Sequence, residues 1–192
     1  KLTHRFILMK VICIFDKNLW SIQYDGHERD VFSEMFTNWT DMEYLFDYFT
    51  RNKEYLSDPF WSGWDIPSLI RRTYKEALSL DRYFHGLYKN IKHCDKPDLE
   101  SHFVWLDKQC EYQLGRYKSY GQICTPIMLR IYAIRVEENV FVVTGGGIKL
   151  VRQMKNMPEL DLELTHIKDV RSYLRKNDIE TSGDIYEFIK DE

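Results

Sequence analysis

Leu129-Arg130-Ile131-Tyr132-Ala133-Ile134-Arg135-Val136, then Glu137-Glu138-Asn139, then Val140-Phe141-Val142-Val143-Thr144, is the stretch on which the fold turns. β-Branched and aromatic residues crowd both outer segments, and the acids and Asn between them are turn chemistry. The pattern predicts a β-hairpin, with one strand from 129 to 136 and its return from 140 to 144. Gly145-Gly146-Gly147 reads as a turn or bulge that interrupts the chain before Ile148-Lys149-Leu150-Val151. It is not a phosphate loop, which needs Gly-x-x-x-x-Gly-Lys-Ser/Thr ahead of a helix.

Working outward, Pro158 opens a helix that carries Leu160, Leu164, Ile167, Val170 and Leu174 at helical spacing. Ser182 caps a last short helix through Phe188. Towards the N-terminus, 10–15 and 19–24 flank the turn residues Asp16-Lys17-Asn18 and predict a second hairpin. Val31, Phe32, Met35, Phe36 and Trp39 then mark one helix. Thr40-Asp41-Met42-Glu43 has the form of a capping box, with Thr40 as N-cap, for a second helix that turns Leu45, Phe46 and Phe49 inward. After a loop from Ser57 to Trp64, Asp65 and Pro67 start a long amphipathic helix. Its apolar stripe is Ile66, Leu69, Ile70, Tyr74, Ala77, Leu78, Phe84, Leu87 and Ile91, and the turn at 95–98 ends it. Strands and helices do not alternate as βαβ units. The expected architecture is therefore α+β, an antiparallel sheet packed by helices, in one domain over residues 9–192. Residues 1–8 read as an extension ahead of a start at Met9.

The chain has 192 residues, 44% hydrophobic and 30% charged, a composition that suits a packed core and not a disordered segment. No stretch reaches the roughly 18 apolar residues of a membrane span, and the short apolar run at 6–9 is no signal peptide, so a cytoplasmic setting is expected. Cys13, Cys94, Cys110 and Cys124 lack C-x-x-C spacing and read as indifferent thiols. His85, His93, Cys94, His102 and Cys110 invite a metal reading. On a helix, however, His85 and His93 stand about 80° apart, which is no ligand pair, so no metal is expected.

Charge distribution is more telling than the net of −3. Between Arg116 and Lys155 stand seven basic residues (Arg116, Lys118, Arg130, Arg135, Lys149, Arg152, Lys155) against Glu137 and Glu138 alone. A basic sheet on an acidic body suits an anionic partner, with phosphate foremost. The bland alternative pairs these cations with the acidic helices. In the strand from 130, Arg130 and Tyr132 share one face, whereas Arg135 points with Ile131 and Ala133. Tyr beside Arg on a strand suits base stacking and phosphate contact.

The Arg-bearing strand from Leu129, the hairpin, the strand ending in Gly145-Gly146-Gly147-Ile148-Lys149-Leu150 and the helix after Pro158-Glu159-Leu160 together resemble RelE/HigB-like toxins. The resemblance covers roughly 99–179, extends more loosely over 9–56, and is absent for 57–97, which would be a helical insertion. It implies a type II toxin that cleaves mRNA, commonly on the ribosome, without a cofactor, and that a small antitoxin neutralises. Arg130 matches the strand arginine that stabilises the scissile phosphate, Lys149 and Arg152 match the basic residues at the last strand's end, and Lys118 stands near the lysines before the hairpin. The tyrosine that some members carry after the last arginine is missing: Pro158 and acids stand there, and Tyr173 lies farther on. The proton-transfer role of the reaction falls to Lys118, Lys149 or Tyr132. Arg116, Arg135 and Lys155 are expected to add RNA contacts. The other reading is a non-catalytic member that keeps the fold and binds a protein or nucleic acid.

Overall fold

The three glycines do not end their strand; the chain runs extended through them from Val140 to Ile148. In a computed structural model, which describes residues 8–91, 99–106, 114–119 and 128–191, this strand is the backbone of the architecture. The elements are β1 (Met9–Phe15), β2 (Leu19–Tyr24), α1 (Val31–Trp39), α2 (Met42–Arg51), α3 (Ile66–Ile91), β3 (Val104–Trp105), β4 (Gly115–Ser119), β5 (Leu129–Glu137), β6 (Val140–Ile148), α4 (Pro158–Lys176) and α5 (Ser182–Asp191). Short 3-10 turns at Lys53–Ser57, Pro59–Trp61 and Met154–Asn156 link them. The class is α+β, as expected.

Among the described residues the sheet order is β1-β2-β6-β5-β4-β3. Both predicted hairpins form: β1 with β2, and β5 with β6 through Asn139, whose φ of 59° gives the tight return. The expectation of a wholly antiparallel sheet needs correction. β2 and β6 run parallel, Leu19 opposite Phe141 through Ser21 opposite Val143. Two hairpins joined through their inner strands leave this one pairing to the long connection between them, and the helices of that connection bring β6 back alongside β2 in the same direction.

Glycine explains how helices close on β6 from both sides. A Cβ on Gly146 would stand 2.3 Å from Met35 Sδ and 2.4 Å from the Arg130 carbonyl oxygen; one on Gly147 would stand 2.8 Å from Leu160. So α1 lies on one face of β6 and α4 on the other, both nearer than any side chain would permit. One buried cluster runs from Met9 to Ile185 and includes Leu69, Leu80 and Phe84 of α3. The inserted helix thus shares the core. Its stripe is centred on Leu80, and Leu78 is only half-buried.

Local corrections have simple causes. Asp41, not Thr40, caps α2 by accepting from Glu43 N and Tyr44 N, while the Thr40 hydroxyl turns back to Phe36 O and closes α1. In α2 the inward residues are Leu45, Tyr48 and Phe49, and Phe46 is 54% exposed. Asp65 does cap α3, accepting from Ser68 N at 2.9 Å. Cys13 is an exposed free thiol. The other three cysteines, His93 and the turn at 95–98 lie outside the described residues. No described helix is long and apolar enough to cross a membrane, and no described cluster of His, Cys, Asp and Glu could hold a metal ion.

Candidate nucleic-acid interface

Cross-strand partners in a sheet point to the same face. Lys118 lies opposite Tyr132, Tyr132 opposite Gly145, and Arg130 opposite Gly147. Lys149, one residue past β6, still donates its N–H to Met128 O and keeps the alternation. Lys118, Arg130, Tyr132 and Lys149 therefore share the α4 face of the sheet. The helix covers only part of it.

Where α4 stops, the face opens into a cleft of about 240 Å³ lined by Arg130, Lys149, Arg152, Asp58, Phe60 and Trp61. Three of the five proposed catalytic residues thus meet in one hollow. Arg130 is half-buried and steadied by its own strand, Nη1 donating to Leu129 O at 2.7 Å. Arg152 stands exposed at the rim. Burial and the neighbouring charges of Arg130 and Lys118 hold the Lys149 ammonium below the usual lysine range. Lys118 is accordingly within electrostatic reach of the same spot.

The aromatic wall was not anticipated. Asp58 accepts from Phe60 N at 2.8 Å and sets the turn at Pro59, and Trp61 donates its indole N–H to Leu150 O at 3.0 Å. These bonds fasten the loop before the inserted helix to the end of β6. Phe60 is left 57% exposed against the ring of Trp61, with centroids 4.7 Å apart. Three aromatics at 60, 61 and 64 in an otherwise polar loop are the signal that sequence reading passed over.

Compared with family models, curated proteins and solved structures, the chain matches none. Its site is therefore weighed on chemistry alone.

The remaining candidates lie elsewhere. Tyr132, expected beside Arg130 in the open, is 1% exposed beneath α4. Burial raises its hydroxyl pKa; nearby Arg130 opposes the rise and Glu163 adds to it. Helix α4 covers the strand just where Gly145 lets Glu163 approach, so Tyr132 does not line the cleft. Arg135 points to the opposite face and pairs with Glu100, which also accepts from Asn139 N. For this cation the pairing with the acidic body is what forms. Arg116, opposite Ile134, lies on the face of Lys118 but two residues farther from Arg130. Lys155 is exposed in the turn at 154–156, outside the cleft lining. A wider hollow of about 400 Å³ along α3 also holds cations, but there Arg72 bonds to Glu76 at 3.0 Å and lies over Trp64.

Proposed function

We propose that the protein is a metal-independent endoribonuclease of the RelE kind, acting on mRNA in the cytoplasm, on or off the ribosome, and held in check by a small antitoxin. The observation that carries this reading is the convergence of Arg130, Lys149 and Arg152 in one cleft with the exposed ring of Phe60. Cations meet a phosphate, and an open aromatic face meets a base. The order of strand, two helices, three-strand meander and closing helix agrees with the plan that the sequence resemblance implies.

The chemistry asks little more. Attack of a ribose 2′-oxygen on the adjacent phosphorus forms a P–O bond and breaks the bond to the 5′-oxygen, leaving a cyclic phosphate and a 5′-hydroxyl. Arg130 and Arg152 hold the charge that grows on the phosphorane. Lys149, with its ammonium destabilised, serves as the base for the 2′-hydroxyl, and Lys118 supplies the proton to the leaving oxygen.

Induced expression of the chain is expected to arrest growth, and a translating extract is expected to yield RNA fragments with those ends. Arg130→Ala should relieve both while the protein stays folded by circular dichroism. Harmless expression together with intact RNA would overturn the nuclease. The second reading, RNA binding without cleavage, is favoured by the burial of Tyr132, which takes one proton-transfer candidate out of the cleft. Salt-sensitive RNA binding with no fragments would select it.

A further inference from the structure

The parallel pair β2–β6 is short. Past Ser21 and Val143 the strands part, because Thr144 is the extra residue of a β-bulge: Tyr132 faces Gly145 while Ala133 faces Val143. From this fork β2 leads to α1 on one face and β6 to α4 on the other. Neighbouring parallel strands whose chains leave to opposite faces open a crevice at their carboxyl ends, where open sheets of parallel strands bind their ligands. Here the fork encloses a crevice of about 330 Å³, bridged at its root by the Tyr24 hydroxyl donating to Thr144 O at 2.8 Å.

The floor of the crevice is the carboxylate of Glu163, nine-tenths buried. It fills the space a side chain on residue 145 would take, its Oε2 lying 1.9 Å from where a Gly145 Cβ would be. One oxygen has a partner, His166 Nδ1 at 3.5 Å from Oε1. The other, Oε2, has no hydrogen-bond partner among the described residues, nor has the buried hydroxyl of Tyr132. Glu34 lies at the mouth with His27 Nδ1 at 3.0 Å. The crevice lining includes no lysine or arginine; its cations can only be the two histidines, each already turned to a carboxylate. The walls are apolar or aromatic: Val31 and Met35 on one side, and on the other the Tyr24 ring tilted over His166 at 4.8 Å.

An ionised carboxylate only accepts hydrogen bonds, so its free oxygen calls for a donor, and a second carboxylate at the mouth selects a positive one. We propose that the crevice binds a small alkylammonium compound, its –NH₃⁺ on Glu163 Oε2 and its alkyl chain between Met35 and Tyr24. The proposal does not rest on the RNA reading, and its residues are distinct from those of the basic cleft.

The test is a titration of the whole chain with n-butylammonium chloride, followed by amide chemical shifts. n-Butyrate and tetramethylammonium at the same ionic strength serve as controls. Saturable binding of butylammonium alone is expected, with shifts centred on the Gly145 and Gly146 amides. Glu163→Gln should weaken it at least tenfold, and the more exposed Glu34→Gln about threefold. The second variant carries the test if the first fails to fold. Equal binding of butyrate or tetramethylammonium, unchanged affinity in both variants, or no saturation at millimolar concentration would overturn the proposal. So would a crystal grown with butylammonium that places only water on Oε2.

Discussion

The cleft at the end of β6 is built from cations that the sequence places close together: Arg130, Lys149 and Arg152 fall within one basic stretch. The crevice at the fork of β2 and β6 is built from carboxylates and imidazoles drawn from three distant segments, around His27, Glu34 and Glu163. Strand β6 serves both, and both sit on its glycine-rich half. A hollow whose charge is contiguous in sequence can be read before folding; one assembled by topology cannot. The same comparison separates two kinds of polar burial. In the basic cleft Arg130 is anchored to its own strand, whereas in the crevice Glu163 and Tyr132 each keep an atom unpartnered.

The sharpest test of that separation is functional. Arg130→Ala should lower RNA cleavage by about 10²–10³-fold, the loss typical of removing one charge-stabilising donor, whereas Glu163→Gln should leave cleavage unchanged. Equal losses in the two variants would merge the two hollows into one site. Gly146→Ala strikes what they share. Its Cβ would meet not only the yielding Met35 sulfur but also a backbone carbonyl, so urea denaturation should show a loss of about 3 kcal/mol.

Titration comes next in size. The Lys149 pKa is depressed in the folded protein, so its free base is present at a lower pH than an ordinary lysine allows. The cleavage rate should therefore rise with pH and level off below roughly pH 10.4. Lys118→Ala removes one of the cations that depress this pKa and should move the rise to higher pH. A flat profile would deny Lys149 the role of base. Phe60→Ala should weaken binding of a single-stranded RNA by about 1–3 kcal/mol with little effect on stability, measured by fluorescence anisotropy. The smallest effect is expected at Arg135→Ala: about 1 kcal/mol of stability lost with the Glu100 pair and no change in RNA affinity. Should it weaken RNA binding as Arg130→Ala does, the division of the cations between the two faces would be wrong.

Much of the fold was legible because local pattern decides it. Alternation gave both hairpins, and helical spacing gave α1 and α4 with Leu160, Ile167, Val170 and Leu174 inward. Errors fell where two neighbours compete for one role. Thr40 and Asp41 are both good caps, and the one next to the first helical residue prevailed. Leu78 and Leu80 are both plausible members of a stripe 26 residues long, in which small angular errors accumulate. Parallel pairing of β2 with β6 leaves no local trace, since it joins segments far apart in the chain. At the candidate site, Arg130, Lys149 and Arg152 could be found from charge clustering. Tyr132 was misplaced because strand alternation fixes its face but says nothing of which helix covers that face. Phe60 and Trp61 were missed because their loop reaches the cleft only through the indole bond to Leu150.

The pairing of Leu19 with Phe141 also sets an order of events during synthesis. Translation at about 5–20 residues per second separates these partners by on the order of ten seconds. Throughout that interval the β1–β2 hairpin has one flank with no neighbour, and every residue of β2 except Gln23 is one that ends up buried. An apolar strand edge kept waiting is a template for pairing with another chain. The nascent protein therefore depends, until its last strand arrives, on whatever in the cell shields such edges.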